Sequence, residues 1–343
     1  MTALAHPACL TDGNEREHMG SVPIVDVSPL RAGADPAGVA AQIDAACRDV
    51  GFFCVTGHGV DAALGDELDA LARAFFALPE ATKAQISMAR GGRAWRGWFP
   101  VGDELTSGRP DRKEGLYFGE ELAADDPRVR SGRPLHGPNL FPAEPAGLRR
   151  VVPAWMAEMR SLARDLMRAI GIGLGVGEQW FERHLTGDPI TLFRVFHYPP
   201  DASDGWGVGE HTDYGLLTVL KQDACGGLSV KTRTGWIDVP PEPDVFVCNI
   251  GDMLDRMTGG RYRSTPHRVR NTSGRSRLSF PFFFDPGWDA QVRPLPGSSG
   301  PADEANHRWD GADVHQWHGT YGEYLMGKVA KVFPELRAQV APP

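Results

Sequence analysis

From residue 190 onward, short apolar or alternating runs are separated by glycine, proline and aspartate, and this texture constrains the fold more than any other feature of the chain. The runs are too short for helices and are bounded by turn-forming residues, which favours strands. Many short strands at close spacing are typical of a sandwich or a small barrel rather than of a doubly wound parallel sheet. The predicted strands are residues 190–198, 208–213, 216–222, 227–231, 244–250, 264–270 and 277–285.

Helical periodicity surrounds this β-rich region. Residues 36–50 follow an Asp-Pro helix start, and apolar residues recur at helical spacing in residues 61–77 and 153–170. A buried strand is predicted at 52–56, and a last helix at 316–332. The fold class is therefore predicted to be mainly β with flanking helices.

Composition limits the partners and the compartment. Lys and Arg total 36 against 44 Asp and Glu, for a net charge of −8, and both signs are interspersed along the chain. Nucleic-acid and anionic-membrane binding both need basic clusters, so neither is expected. The five cysteines form no C-x-x-C pair, and no window approaches a continuous membrane-spanning length of apolar residues. These features predict a soluble, cytoplasmic protein.

Three side chains are candidate metal ligands. In "GEHTDYGLLTVL", His211 and Asp213 stand two positions apart in a predicted strand, so alternation would place both on one face. His267, in the predicted strand at 264–270, is the candidate third ligand. Alone, a His-x-Asp triplet is more often an ordinary surface pair. Two histidines and one carboxylate on one face are nevertheless the donor set that suits non-haem Fe(II) with open positions for reactants.

A second pair of polar residues strengthens the metal hypothesis. In "RLSFPFFFDP", Arg277 and Ser279 are again two positions apart on one strand face. A guanidinium with a neighbouring hydroxyl is suited to bind a carboxylate. Because the surrounding residues are apolar, a positive charge here requires an anionic partner, and the nearby sequence supplies none.

Together these stretches resemble the Fe(II)/2-oxoglutarate-dependent oxygenases of the isopenicillin N synthase-like family. The stretches that carry the resemblance are "VPIVDVSPL", "DVGFFCVTGHGV", "FRVFHYPP", "HTDYGLLTVL", the run from "GGLSVKTRTGW" to "STPHRVRN", and "RSRLSFPFFFDP". The resemblance implies a double-stranded β-helix core, that is, a cupin-like jelly roll. It also implies a catalytic iron held by His211, Asp213 and His267, with dioxygen and 2-oxoglutarate as cosubstrates.

The resemblance further implies that Arg277 and Ser279 bind the distal carboxylate of 2-oxoglutarate, assisted by the hydroxyl of Tyr198. One position departs from the pattern of many plant members, because Phe196 stands where they have asparagine. The expected activity is oxidative decarboxylation of 2-oxoglutarate coupled to hydroxylation, desaturation or ring closure of a small metabolite.

Aromatic residues near these motifs are candidates for the substrate pocket. Phe282, Phe284 and Trp98 are expected to help wall it, although packing in the core is the commoner role for such residues. The charged stretch "DRKEGLYFGEE" (111–121) is interpreted as a solvated surface turn.

The patterns and the resemblance divide the chain into five segments. They are a loosely ordered tail (1–20), an N-terminal oxygenase region (21–135), a helical connection (136–188), the double-stranded β-helix core (189–290) and a C-terminal extension with a helix (291–343).

Two other functions stay open at this level. Isopenicillin N synthase and ACC oxidase keep the same triad and Arg-x-Ser pair but do not need 2-oxoglutarate. A non-catalytic metal-binding sensor domain on the same scaffold is the alternative from another class, and it is expected to have lost a ligand or the clamp. The sequence does not indicate the oligomeric state.

Overall fold

The computed structural model describes residues 21–200, 205–298 and 317–333. The predicted tail at 1–20 lies outside these ranges. The helices are α1 (Ser28–Arg31), α2 (Pro36–Asp49), α3 (Ala62–Phe76), α4 (Glu80–Lys83), α5 (Pro127–Arg130), α6 (Leu148–Gly173), α7 (Asp252–Thr258) and α8 (Tyr321–Val332), with 3₁₀ turns at Ala84–Ile86 and Met88–Ala94 and a π turn at Glu182–Thr186. The strands are β1 (Ile24–Asp26), β2 (Phe52–Thr56), β3 (Gly97–Phe99), β4 (Leu105–Thr106), β5 (Arg109–Pro110), β6 (Glu114–Gly119), β7 (Ile190–Tyr198), β8 (Val208–His211), β9 (Leu217–Gln222), β10 (Leu228–Thr232), β11 (Gly235–Val239), β12 (Phe246–Ile250), β13 (His267–Val269) and β14 (Arg277–Asp285).

Two sheets build the core of the fold. The larger has the strand order β1-β2-β12-β9-β14-β7-β6-β3, and the smaller has the order β11-β10-β13-β8. The pairings are antiparallel except for β1 with β2. Neighbours in the sheets are mostly distant in the chain, as expected for a jelly roll. The predicted class, mainly β with flanking helices around a jelly-roll core, is confirmed.

The strand predictions succeed best where both faces of a strand are buried. The predicted strands at 190–198 and 277–285 are confirmed as β7 and β14 with the same bounds. The predicted strand at 208–213 is too long, because β8 ends at His211 and the chain then turns. The sequence pattern does not indicate β11, which begins at a glycine and is largely exposed.

The interpretation of residues 111–121 as a solvated turn is wrong. Residues Glu114–Gly119 form β6, and every residue of this strand is buried between β3 and β7. The charges in the stretch are compensated inside the protein: Lys113 lies 2.8 Å from Glu104, and Glu114 lies 2.7 Å from Lys83. Charged residues that find partners can therefore enter a core strand, which charge patterning alone does not reveal.

Helix α6 supports the larger sheet from behind. It is predicted to begin at Pro153, but it begins at Leu148 because Leu148, Val151 and Val152 are fully buried and extend its apolar face. Pro153 consequently lies inside the helix, where it cannot donate a backbone hydrogen bond to the carbonyl of Arg149.

Helix α8 begins where a capping box sets its first turn. The Thr320 hydroxyl accepts from the backbone N–H of Glu323 at 3.3 Å, and the Glu323 carboxylate accepts from the backbone N–H of Thr320 at 2.8 Å. The predicted start at 316 lies outside the described residues. Among the helices that the structure describes, none combines the length and the apolar character needed to cross a bilayer.

Replacement of the internal proline is expected to stabilise the fold. Pro153→Ala restores a backbone donor at an exposed position of α6. The substitution also makes the unfolded chain more flexible, which offsets part of the gain, so we expect the free energy of unfolding to rise by about 1–2 kcal/mol. The measurement is urea unfolding followed by circular dichroism. The exposed Arg164→Ala on the same helix is the control and should change the value by less than about 0.5 kcal/mol. A destabilised Pro153→Ala protein would contradict this account of the helix.

Candidate active site

A cavity of about 560 Å³ lies between the two sheets and collects the polar side chains that the sequence singles out. Its walls come from β7, β9, β12 and β14 of the larger sheet and from β8, β10 and β13 of the smaller one. The six residues proposed from the sequence for the metal and the cosubstrate all line it: Tyr198, His211, Asp213, His267, Arg277 and Ser279.

Antiparallel pairing of β8 with β13 brings the two histidines together. His211 is the direct register partner of His267, and their ring centroids are 4.2 Å apart. The Nδ1 atom of His211 lies 2.8 Å from the carbonyl of Gly209, and that of His267 lies 3.2 Å from the carbonyl of Thr265. A carbonyl only accepts, so Nδ1 carries the proton in each ring and donates it. Each Nε2 is then left as the free donor atom for a metal.

Asp213 completes the cluster from a turn rather than from a strand. Its Oδ1 lies 4.0 Å from Nε2 of His211 and 3.8 Å from Nε2 of His267. The three potential ligand atoms lie within 4.8 Å of one another. Since β8 ends at His211, strand alternation does not explain the position of Asp213.

Two neighbours on the larger sheet hold the Asp213 carboxylate instead. Its Oδ2 accepts a hydrogen bond of 2.6 Å from the Thr218 hydroxyl and one of 2.7 Å from the Asn249 amide. Thr218 and Asn249 are register partners on β9 and β12. These bonds occupy one carboxylate oxygen and direct the other toward the histidines.

Burial controls the protonation of the cluster. It lowers the pKa of His267 to about 4 and also lowers the pKa of His211. For Asp213, burial alone would raise the pKa, but His267, His211 and the two hydrogen bonds outweigh it and hold the pKa below its ordinary value. Neutral imidazoles and an ionised carboxylate are therefore favoured at neutral pH, which is the protonation state that metal binding requires.

The donor set indicates the class of metal. Two imidazole nitrogens and one carboxylate oxygen on one side of a cavity leave the other side open to reactants, as in non-haem Fe(II) sites. Structural zinc is instead enclosed by four ligands, commonly thiolates. The residues present therefore fit a catalytic ferrous ion.

The second polar pair lies where β14 meets β7. Arg277 is the register partner of Tyr198, and its guanidinium lies 4.6 Å from the centroid of the tyrosine ring. Only Nε of Arg277 is hydrogen-bonded, to the carbonyl of Gly226, whereas Nη1 and Nη2 are buried without a partner. The Ser279 hydroxyl lies 3.3 Å from that of Tyr198.

An unpaired guanidinium in this position is costly unless a ligand neutralises it. The Arg277 residue is 1% exposed, so water cannot replace the missing hydrogen-bond acceptors. Its two free N–H groups match the two oxygens of a carboxylate. The observation fits the distal carboxylate of 2-oxoglutarate, the cosubstrate that the sequence resemblance implies.

Phe196, which departs from the family pattern, also faces this cavity. Its ring lies 4.8 Å beneath the ammonium group of Lys113. Where many plant members carry an amide, this chain therefore presents an aromatic face to a buried cation.

The aromatic residues proposed for the substrate pocket lie elsewhere. Phe282 and Phe284 are fully buried in the hydrophobic core, on the strand face opposite Arg277 and Ser279, and Phe283 is the phenylalanine of β14 that lines the cavity. Trp98 is also buried, and its indole N–H donates to Glu114 at 2.8 Å. Strand alternation explains the difference, because odd-numbered residues of β14 share the face of the clamp.

Several cavity residues were not singled out from the sequence. The largest group is charged and consists of Glu104, Lys113, Arg194, Asp285, Lys328 and Lys331. For Arg194 a signal exists, since it is four positions before Tyr198 on β7 and so has the same facing. The same signal exists for Asp285, which is an odd-numbered residue of β14 and so shares the face of Arg277 and Ser279. The other four reach the cavity through tertiary packing.

Comparison with known proteins gives two family matches. Residues 189–286 match the 2OG-Fe(II) oxygenase superfamily. Residues 22–144 match the N-terminal region described as non-haem dioxygenase in morphine synthesis. Both matched regions contribute walls of the cavity.

Individual relatives agree with the family matches. A probable iron/ascorbate oxidoreductase of Dictyostelium discoideum is 44% identical over 88% of this chain and 91% of its own length. A 1-aminocyclopropane-1-carboxylate oxidase of the same organism is 36% identical over 92% of this chain and 95% of its own length. A homoarginine-6-hydroxylase of Glycine max is 36% identical over 92% of this chain and 98% of its own length.

The fold is shared with a solved structure that contains the cosubstrate. A full-length protein of Neurospora crassa, crystallised in complex with alpha-KG, superimposes with a TM-score of 0.75 at 27% identity, covering 91% of this chain and 97% of that one. The family matches, the relatives and the His-Asp-His cluster in the cavity lead to one assignment. The chain belongs to the 2OG-Fe(II) oxygenase superfamily and is an oxidoreductase that uses Fe(II), 2-oxoglutarate and dioxygen.

Proposed function

We propose that His211, Asp213 and His267 hold the ferrous ion and that Arg277, Ser279 and Tyr198 bind 2-oxoglutarate, for the hydroxylation of a small metabolite. The single observation that carries this proposal is the coexistence, in one cavity, of a convergent His-Asp-His cluster and a buried guanidinium with two unpartnered nitrogens. Each feature is costly in isolation, and each is neutralised by one of the two cofactors.

The residues divide the work. When bound, the iron with 2-oxoglutarate and dioxygen supplies the oxidising chemistry. His211, Asp213 and His267 would hold the ion, and a set of only three protein ligands would leave it accessible to reactants. Arg277 neutralises the far carboxylate of the cosubstrate, while Ser279 and Tyr198 donate hydrogen bonds to it. The apolar lining, including Leu192 and Phe283, excludes water from the reacting groups.

The relatives suggest which metabolites to examine first. Homoarginine and 1-aminocyclopropane-1-carboxylate, which appear in the names of two relatives, both carry an amino and a carboxylate group. The cavity contains both positive and negative side chains, which supports a small charged metabolite as the substrate.

The main experiment measures succinate and oxygen together. Protein loaded with Fe(II) under argon is mixed with 2-oxoglutarate, air and candidate metabolites, and we expect one succinate for each dioxygen consumed when the metabolite is hydroxylated. Oxygen consumption and metabolite oxidation without succinate would contradict the proposal and indicate chemistry of the ACC oxidase type.

Loss of the clamp is expected to act on the cosubstrate. Arg277→Leu removes two charge-assisted hydrogen bonds, so the KM for 2-oxoglutarate should rise by roughly a hundredfold or more. The measurement is succinate formation against 2-oxoglutarate concentration. Arg149→Leu is the matched control, because Arg149 is exposed on α6 and stacks 5.0 Å from Phe141, away from the cavity. An unchanged KM in Arg277→Leu would refute the assignment of the clamp.

Loss of the Thr218 hydroxyl is expected to act on the metal. Thr218→Val frees Oδ2 of Asp213 from one hydrogen bond, and we expect Fe(II) affinity to fall by about 10- to 100-fold. Anaerobic titration with Fe(II) measures the change. Thr191→Val is the isosteric control, since the buried Thr191 hydroxyl has no hydrogen-bond partner. Equal affinities in the two variants would show that the support of Asp213 is unimportant.

A further inference from the structure

Arg194 is a second guanidinium in the cavity that the proposed chemistry does not use. It lies on β7 with the same facing as Tyr198 and four residues before it, which is about 13 Å along the strand from the 2-oxoglutarate clamp. Asp213 is among the anionic groups that interact electrostatically with it. Arg194 therefore lies near the proposed metal site but away from the clamp.

Two aromatic rings pack against this guanidinium. Its central carbon lies 4.2 Å from the ring centroid of Tyr117 and 4.8 Å from that of Phe283. These contacts restrain the guanidinium, and a guanidinium that packs on aromatic rings keeps its N–H groups available for hydrogen bonds. The side chain is 15% exposed, so it is ordered by packing rather than by solvent.

The hydrogen-bonding capacity of Arg194 is largely unused. Its Nη1 lies 3.5 Å from Glu104, and its Nε is buried without a partner. The same Glu104 carboxylate is 2.8 Å from Lys113 and also accepts from the Tyr117 hydroxyl. A guanidinium offers five N–H groups, and one shared carboxylate at this distance does not satisfy them. Arg194 thus differs from Arg277, whose two Nη atoms are both buried without a partner, but it too keeps hydrogen-bonding capacity for a ligand.

The cavity as a whole carries an excess of positive charge. Five cationic side chains line it against three carboxylates, which are Lys113, Arg194, Arg277, Lys328 and Lys331 against Glu104, Asp213 and Asp285. A ferrous ion and a 2-oxoglutarate dianion cancel, so the excess persists after both have bound.

The ion pairs of the cavity show which of its positive charges are compensated by carboxylates. Lys113 is paired with Glu104 and Asp111, and Lys328 lies 3.6 Å from Asp252. Burial also raises the pKa of Asp285 to about 7, which removes part of its negative charge at neutral pH. Arg194 lies 3.5 Å from Glu104, but it shares that carboxylate with Lys113, which is closer, so the charge of Arg194 is only partly compensated.

We propose that Arg194 binds a carboxylate of the primary substrate and so makes the enzyme selective for small carboxylic acids. This inference rests on the proposed function, since it assigns Arg277 to 2-oxoglutarate and leaves Arg194 for the other reactant. Leu192, Phe283 and Leu325 provide the apolar walls for the remainder of the acid. A cavity of about 560 Å³ that also holds 2-oxoglutarate limits the acid to a small molecule.

The test compares acids with their primary amides, which have nearly the same shape but lack the negative charge of the carboxylate. Wild-type protein is loaded under argon with Fe(II) and saturating 2-oxoglutarate. It is then titrated in a calorimeter with phenylacetate and phenylacetamide, hexanoate and hexanamide, and norleucine and norleucinamide. We expect at least one acid to bind about tenfold or more tightly than its amide. The absence of an acid preference in every pair would overturn the inference.

Variants assign the preference to Arg194. Arg194→Gln should reduce the preference to within about twofold by weakening acid binding, whereas the exposed Arg149→Gln should retain it. Affinity for 2-oxoglutarate, measured in the first titration step, should change much less than affinity for the acid in Arg194→Gln. A parallel loss of both, or an undiminished acid preference, would contradict a specific role in substrate binding.

The design separates the two levels of the account. If the wild-type protein fails to bind Fe(II) or 2-oxoglutarate in the loading steps, the proposed function fails. If both load and no acid preference follows, the proposed function stands and the role of Arg194 is refuted. The wild-type comparison of acids with amides needs no variant, so the absence of an acid preference refutes the inference even if Arg194→Gln does not fold.

Discussion

The structure depends above all on the pairing of β8 with β13, which places His211 directly opposite His267. The two residues are far apart in the chain, and only the closure of the smaller sheet brings their rings to a centroid separation of 4.2 Å. The pairing alone does not make a metal site. The third donor comes from the turn after β8, and its carboxylate is held from the opposite sheet by Thr218 and Asn249. Assembly of the site thus requires both sheets to be in register.

Strand β14 shows how one element serves both stability and chemistry. Its odd-numbered residues face the cavity and include Arg277 and Ser279, whereas its even-numbered residues are apolar and fully buried in the core. The strand lies between β9 and β7 in the middle of the larger sheet, so the guanidinium is carried on a rigid support. The unsatisfied nitrogens of Arg277 and the underused ones of Arg194 are consequently held in place before any ligand arrives, which reduces the entropy lost on binding.

Much of this could be predicted from the sequence, and the failures have physical causes. The convergence of His211, His267, Arg277 and Ser279 on one cavity follows from residue type and spacing, which indicate their chemistry directly. Asp213 was assigned for an incorrect reason, since it lies past the end of its strand and is positioned by long-range hydrogen bonds.

Other features cannot be predicted from the sequence pattern, because they depend on tertiary contacts or on which face of a strand a residue occupies. The charges around the buried strand β6 suggest a surface turn, since Glu104 and Lys83, which pair with Lys113 and Glu114, lie outside the stretch. Phe282 and Phe284 were proposed for the pocket although strict alternation from Arg277 selects Phe283.

The most direct measurement of the central claim is an anaerobic titration with Fe(II) and then 2-oxoglutarate, followed by visible absorption. The account predicts one iron per chain, a charge-transfer band that appears on addition of 2-oxoglutarate, and loss of both in His267→Ala. A protein that binds no iron, or a His267→Ala variant that keeps the band, would contradict it.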